Sequence, residues 1–202
     1  MNNTWNERYA IPEYFFGTEP NEFLVSQRYL LKPGTSCLAV ADGEGRNGVW
    51  LAQQGLRVMS VDFSEAASAK AGRLAEQKGV KLEREVADLL QWNWGSERFD
   101  VVAAIFIQFA SPPGREILFA GIKRCLKPGG LLLLQGYTPR QLEFKTGGPP
   151  SAENMYTEKL LRDAFRDMEI LQLREHDDIV SEGVGHSGMS ALIDLAARKP
   201  NL

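Results

Sequence analysis

Residues 37–62 read CLAVADGEGRNGVWLAQQGLRVMSVD, and the order of apolar, glycine-rich and helical stretches within them decides the fold. Residues 37–41 are a short apolar run, entered from the turn signal Lys32-Pro33-Gly34 and left through Asp42-Gly43-Glu44-Gly45. That is the pattern of a buried strand running into a glycine loop. From Asn47 the spacing turns helical, carrying Val49, Trp50, Leu51 and Ala52, with Gly55 as a C-cap. Residues 56–61 form the next strand and deliver Asp62 at its end. Strand, loop, helix and strand in this order make one unit of a doubly wound parallel sheet.

The pattern repeats outward. Ser64 is an N-cap for a helix over 66–77 closed by Gly79, and residues 80–86 are a third strand. FDVVAAIFI, residues 99–107, is too continuously apolar for a half-exposed strand and predicts a central one covered on both faces. After Pro112-Pro113 a helix runs over 115–125 and stops at Lys127-Pro128-Gly129-Gly130, before a strand at 131–136. Thr157 caps a helix reaching about residue 167, and residues 168–173 and 189–197 are two late strands joined by a long polar loop. With no helix between them, this last pair closes the sheet antiparallel. The expected fold is therefore α/β, a doubly wound, seven-stranded, mostly parallel sheet with a C-terminal antiparallel strand, in one domain spanning 1–202. Residues 137–156 lack a clear element and follow a strand's C-terminal end, where such sheets bind ligands, so they are read as a substrate-side loop.

Composition narrows the class. Of 202 residues 44% are hydrophobic and 24% charged, with 23 basic against 26 acidic, a net charge of −3. Those proportions exclude disorder, collagen and coiled coil, and the mild acidity argues against nucleic acid as a partner. Cys37 and Cys125 sit beside apolar residues without C-x-x-C spacing, which predicts two small buried hydrophobes and no metal site. The N-terminus is too polar for a secretory signal, and the longest apolar run, 101–107, falls far short of the roughly 20 residues that span a bilayer. A cytoplasmic protein without membrane contact is expected; nothing indicates its oligomeric state.

Gly43-Glu44-Gly45-Arg46-Asn47-Gly48 matches G-x-G-x-x-G, follows a strand, opens a helix, and has Asp62 at 62 − 43 = 19 residues beyond. Such a loop lets ligand atoms approach the backbone, and such an acid accepts hydrogen bonds from ribose hydroxyls. An empty structural turn is the alternative. A pyrophosphate here would be repelled by Asp42 and Glu44, by about 1 kcal/mol in water and more if desolvated. S-adenosylmethionine carries instead a sulfonium and an ammonium, which the same acids attract. Asp88, in Ala87-Asp88-Leu89, ends the third strand and is placed for an adenine amine, or else caps a turn.

The run VADGEGRNGVWLAQQG, the pair Val61-Asp62, the Ala87-Asp88 step, Leu126-Lys127-Pro128-Gly129-Gly130 and the two late strands together resemble class I S-adenosylmethionine-dependent methyltransferases. WNERYA with EYFFG, GEGRN, Thr146-Gly147-Gly148-Pro149 and the C-terminal EGVGHSGMSALIDLAARKP resemble more narrowly the TehB-like branch, named for tellurite resistance. The resemblance implies a Rossmann-like methyltransferase fold, S-adenosylmethionine as cofactor, Gly43 and Gly45 as loop glycines, Asp62 as ribose acid and Asp88 as adenine contact, with Asn47, Phe63 and Leu89 beside them. It also implies a small methyl acceptor, a thiol or a chalcogen oxyanion. Two positions depart: the family's usual acid and glycine in the first loop are here Ala39 and Ala41. The acid is then displaced to Asp42 or Glu44, or backbone carbonyls hold the cofactor's ammonium.

Methyl transfer needs mainly alignment, plus a base where the acceptor must lose a proton. His186, in the glycine-rich Glu182-Gly183-Val184-Gly185-His186-Ser187-Gly188, is the candidate base, ahead of His176 among its charges; a solvated histidine is the alternative for both. Gln108, polar after an apolar run, is expected to point to the ligand side or simply to end the strand. Residues 1–30 are read as a lid, with Trp5, Tyr9, Tyr14 and Phe16 offering faces to a sulfonium and Arg8 a partner for the methionine carboxylate, or else as aromatic packing. Trp92 and Trp94 either rim the adenine site or pack. A nicotinamide-dependent oxidoreductase and a cofactor-binding protein without turnover are the competing readings.

Overall fold

The structure, a computed structural model, describes residues 2–183 and 185–201. Its strands are β1 (Ser36–Val40), β2 (Arg57–Asp62), β3 (Glu83–Val86), β4 (Phe99–Ile105), β5 (Leu126–Tyr137), β6 (Glu169–Glu182) and β7 (His186–Arg198). The helices are α1 (Asn2–Tyr9), α2 (Glu22–Ser26), α3 (Arg46–Gln53), α4 (Glu65–Gln77), α5 (Pro112–Cys125), α6 (Gln141–Phe144) and α7 (Glu158–Ala164). One sheet holds all seven strands in the order β3-β2-β1-β4-β5-β7-β6. The first five are parallel, and β7 runs antiparallel between β5 and β6. The α/β, seven-stranded, mostly parallel sheet expected from the sequence is thus the observed one.

Strand parity explains why the central strands carry no polar side. In β1, β4 and β5, Leu38, Val40, Val102, Ala104, Leu132 and Leu134 face one core, while Cys37, Ala39, Val101, Ala103, Leu131 and Leu133 face the other. Both faces are covered, so both residue sets must be apolar. The two cysteines are buried, as their neighbours predicted. In α4 the Ser64 hydroxyl accepts from Ala67 N–H at 3.2 Å, and Ala67, Ala71, Leu74 and Ala75 recur on the buried face. Trp94 lies in the first core against Gly121, where a Cβ would stand 2.4 Å from the indole, so this tryptophan packs and rims no ligand site.

Four sequence expectations are corrected. The polar stretch after residue 173 is the continuation of an edge strand: β6 and β7 form a long hairpin paired from Glu169↔Arg198 to Glu182↔His186. Because β6 is half solvated on both faces, no alternation marks it. The third strand shrinks to Glu83–Val86, an exposed edge. Strand β4 ends at Ile105, because Phe106 adopts the left-handed conformation at φ 54° and turns the chain. Residues 137–156 contain α6 and a 3₁₀ turn over Ala152–Asn154, and they are pinned to β7: Gln141 Oε1 accepts from Ala191 N–H at 2.8 Å, and the Thr146 hydroxyl donates to the Met189 carbonyl.

Residues 6–21 cross the C-terminal ends of the parallel strands as a strap. The Glu13 carbonyl accepts from Lys70 Nζ at 2.6 Å, and Phe16 N–H donates to Glu44 Oε2 at 3.3 Å. Further along, the Glu19 carbonyl accepts from Arg46 at 3.2 Å and Asn21 N–H donates to Asn47 Oδ1 at 2.9 Å. At the hairpin tip Gly185 N–H donates to the Phe15 carbonyl. A Cβ on Gly185 would lie 2.3 Å from the Phe16 ring, so only glycine lets the tip close on the strap. Val184, within the same motif, lies outside the described residues.

Candidate active site

The glycine loop after β1 is held from beneath by two acids. Asp42 Oδ1 accepts from Gly48 N–H at 3.0 Å and Oδ2 from the Ser60 hydroxyl at 2.9 Å. Burial pushes its carboxyl up to about 7 in spite of those bonds. Asp62 Oδ2 accepts from Gly43 N–H and Oδ1 from Ser64 N–H, both at 2.8 Å, and burial raises its carboxyl too. Ala41 takes φ 48°, the conformation a glycine would supply there without cost, so the alanine keeps the loop's shape.

Glu44 is 3% exposed and ion-paired with Lys70 at 2.6 Å. This changes the electrostatic argument. Neither Asp42 nor Glu44 is a free negative charge facing the loop: one is bound by loop donors and readily protonated, the other neutralised by a buried lysine. Ala39 is sealed in the core, so no carboxylate replaces the missing acid at that point.

Above the loop stands the strap. Tyr9 is buried, and a Cβ at Gly43, which has φ 57°, would lie 3.0 Å from its hydroxyl oxygen. Only a bare backbone leaves room between the phenol and Asp62. Burial, and then the charges of Asp62 and Glu44, hold the Tyr9 phenol well above its usual range, so it is a neutral donor. Trp5 stacks on Tyr9 at 5.7 Å and Phe16 meets Tyr9 edge-on at 6.2 Å. Arg8 is exposed and lies over the Trp5 ring at 4.7 Å. An acid at the base, a glycine cradle and aromatic faces above suit a nucleoside joined to a sulfonium.

The aromatic wall continues to the acceptor side. Phe16 lies 4.5 Å from the His186 ring, His186 lies 4.7 Å from Phe106, and Phe106 stacks on Tyr137 at 4.7 Å. His186 Nδ1 faces Glu182 Oε2 at 3.3 Å, and the same oxygen takes Arg46 at 2.6 Å. Burial lowers the imidazole below its usual value, partly offset by Glu182, so the ring is neutral at pH 7. Nδ1 then carries the proton toward the carboxylate and Nε2 is left as the basic nitrogen. Burial pushes Glu182 up, but the His186 bond and the Arg46 guanidinium outweigh it and bring it to about 2.

The remaining sequence candidates fall outside this wall. Gln108 is corrected: its Nε2 donates to the Tyr137 carbonyl at 2.8 Å and its Oε1 accepts from Tyr137 N–H at 2.6 Å, so both amide ends are used to clamp β5. Asn47 stitches the strap, as above. Asp88 caps a turn, accepting from Leu90 N–H at 2.9 Å and Gln91 at 3.2 Å, while Leu89 is core. Phe63 follows Asp62 half-buried, contributing its backbone N–H to that acid. A cleft of about 530 Å³ is lined by Glu85, Ala87, Asp88 and Trp92, one strand over from Asp62, whose register partner is Val86. His176, at 13% side-chain exposure with Nε2 2.8 Å from Asp194, is no solvated histidine either. Sequence reading missed Phe106, Tyr137, Arg46 and Glu182: the first was read as strand interior, the last as part of a loop.

The chain is similar to known methyltransferases in sequence over part of its length and in fold over nearly all of it. Residues 37–130, somewhat under half of the chain, match the methyltransferase domain family. Phosphoethanolamine N-methyltransferase 2 of Caenorhabditis elegans is 31% identical over 137 residues, covering 64% of this chain and 31% of that one. The chain spans between about a third and just over half the length of the curated relatives it matches. Among solved structures, TehB from Haemophilus influenzae superposes with a TM-score of 0.71 at 17% identity, covering 98% of this chain and 66% of that one. The N-methyltransferase NodS from Bradyrhizobium japonicum, in complex with S-adenosyl-L-homocysteine, gives 0.75 at 12% identity over 99% and 98%. Among the described residues no helix is long and apolar enough to cross a membrane.

Proposed function

We propose that this chain is a class I S-adenosylmethionine-dependent methyltransferase that methylates a small soft nucleophile beside His186, where the strap meets the β6–β7 hairpin. The observation that carries the reading is His186: neutral, oriented by Glu182, and walled by Phe16, Phe106 and Tyr137 beside the glycine loop. The nicotinamide alternative has no support beside the methyltransferase-domain match.

Asp62 and the backbone of Gly43 and Gly45 would hold the nucleoside, and Trp5, Tyr9 and Phe16 the sulfonium side. When bound, the cofactor supplies an activated methyl group on a positively charged sulfur. His186 Nε2 takes the acceptor's proton as the acceptor attacks, while Glu182 stabilises the imidazolium that results. The strap and hairpin tip exclude water and fix the approach.

Of the two acceptors that the TehB-like resemblance implies, a thiol suits the site better than a chalcogen oxyanion. Arg46 and Lys70 are already paired, with Glu182 and Glu44, so neither offers an oxyanion a spare positive charge. Ala39 supports a second reading, cofactor binding without turnover, because no carboxylate stands where the family places one. Calorimetric titration with S-adenosylmethionine, S-adenosylhomocysteine and NADH, followed by a methylation screen of thiols, selenite and tellurite, tests both. Micromolar binding of the first two with thiol turnover supports the proposal; binding without any turnover favours the second reading; silence from both cofactor forms removes it.

A further inference from the structure

Leu131, Leu133 and Ala196 face an apolar core from β5 and β7, and strand parity puts Gln135 and Asp194 on the same side, paired in register and buried. Polar side chains in such a place cost stability unless they are bonded, so they call for a reason. Their hydrogen bonds supply one. His176 Nε2 stands 2.8 Å from Asp194 Oδ2, Asp194 Oδ1 accepts from Gln135 Nε2 at 2.6 Å, and Gln135 Oε1 accepts from Asn21 Nδ2 at 2.6 Å. Asn21 Nδ2 gives its second proton to Glu182 Oε1 at 2.9 Å, and Glu182 Oε2 faces His186. The protein's two histidines are thus the ends of one line of side chains. Asn21 is its turning point. Its Oδ1 accepts from Leu24 N–H at 3.1 Å as the cap of α2, which aims the amide nitrogen the other way. Glu182 Oε1 and Gln135 Oε1 are both acceptors, so the group between them must have two protons to give.

We propose that Asn21 is a positioning residue for the methyl transfer: it fixes the Glu182 carboxylate so that Oε2 faces His186, and Gln135, Asp194 and His176 fix Asn21 in turn. The assignment rests on the reading of His186 as the base and deepens it. Without the Asn21 donor, Glu182 Oε1 is free to join Oε2 on Arg46, and a two-oxygen pair of that kind draws the carboxylate off the imidazole. The Asn21 and Gln135 amides keep their protons throughout, so the line sets orientation and moves no charge.

The test is Asn21→Ser, which keeps a cap oxygen for Leu24 N–H and the backbone bond to Asn47 but is too short to reach Glu182. With two histidines in the protein, each ring signal can be assigned and titrated by NMR without any turnover. The charged groups that reach His186 are Glu182 on β6 and Arg46 on α3; its other neighbours are the Tyr137 phenol on β5, Phe106 after β4 and the Phe16 ring on the strap. Losing the pull of Glu182 should lower the His186 midpoint by about half a pH unit or more, with His176 unmoved. General loosening would do the reverse, since a solvated imidazole returns upward to its usual value. A His186 midpoint that stays or rises overturns the assignment. In turnover, kcat should fall by about tenfold, with acceptor KM and S-adenosylhomocysteine affinity little changed. Gln135→Met, apolar like its neighbours on that face, removes the anchor behind Asn21 and decides the matter should the first variant fail to fold. A His186 midpoint unmoved there also overturns the assignment. Failure of wild type to methylate any acceptor would instead sink the function reading, a separate failure that the titration does not share.

Discussion

His186 Nδ1 stands 3.3 Å from Glu182 Oε2, and the same carboxylate oxygen receives Arg46 at 2.6 Å, while its other oxygen takes Asn21 Nδ2 at 2.9 Å. The hairpin residue Glu182 therefore joins three parts distant in sequence: the strap, the glycine-loop helix and the candidate base. The proposed base and the closure of the strap thus share one carboxylate.

Because burial holds the His186 imidazole below 6.5, its basic form persists to lower pH than in water. Thiol methylation should be constant at neutral pH and fall as pH drops through that lowered value, with the slope of one proton. Replacing His186 with Gln should remove this acid limb and reduce kcat by about 10²–10⁴, the usual contribution of a general base, with S-adenosylhomocysteine affinity retained. An unchanged limb in the variant would assign it to another group.

Glu182→Gln removes the charge that partly restores the imidazole and leaves Arg46 buried without a counter-ion. The acid limb should move to still lower pH. Urea unfolding should show a loss of about 3–5 kcal/mol, the cost of breaking a buried pair from one side. A limb that stays in place would mean that His186 does not sense Glu182.

Much of the fold is legible because the central strands obey a simple rule: covered on both faces, they are mostly apolar, as the runs at 37–41 and 99–107 show, with Asp100 near the start of the second the exception. Edge strand β6 was not legible, since Arg174, Glu175, Asp177 and Asp178 are solvated and look like a loop until β7 supplies their partners. At the site, Asp62 and the loop glycines could be named from spacing. The commitments of Asp42, Glu44 and Gln108 could not, because Ser60, Lys70 and the Tyr137 backbone reach them only in three dimensions.

Asp42 gives the stability of the protein a particular pH dependence. Its folded value of about 7 lies above the ordinary 3.8, so the folded state binds its proton more tightly. The stability it contributes is complete below about pH 4 and is lost as pH rises through 7. Asp42→Asn keeps an acceptor for Gly48 N–H and can donate to the Ser60 hydroxyl, without a charge to bury. The variant should match wild type near pH 4 and exceed it at pH 8 by about 2–4 kcal/mol in chemical unfolding. A variant weaker at both pH values would show that the carboxylate form is the native one.

Asp62 separates a binding role from a scaffolding one. Its two oxygens already hold Gly43 N–H and Ser64 N–H, yet a carboxylate oxygen can accept more than one hydrogen bond, which leaves capacity for ribose hydroxyls. Asp62→Asn retains one acceptor oxygen and so can keep part of the loop geometry, whereas Asp62→Ala loses both contacts. If the acid binds ribose, calorimetry should show S-adenosylhomocysteine affinity weakened by about 1–3 kcal/mol in both variants, while unfolding stability falls mainly in the alanine variant. If the acid only shapes the loop, affinity and stability should decline together and the asparagine variant should bind nearly as well as wild type. That second pattern would remove Asp62 from the cofactor site and leave the backbone of the glycine loop, beneath Tyr9, to recognise the nucleoside.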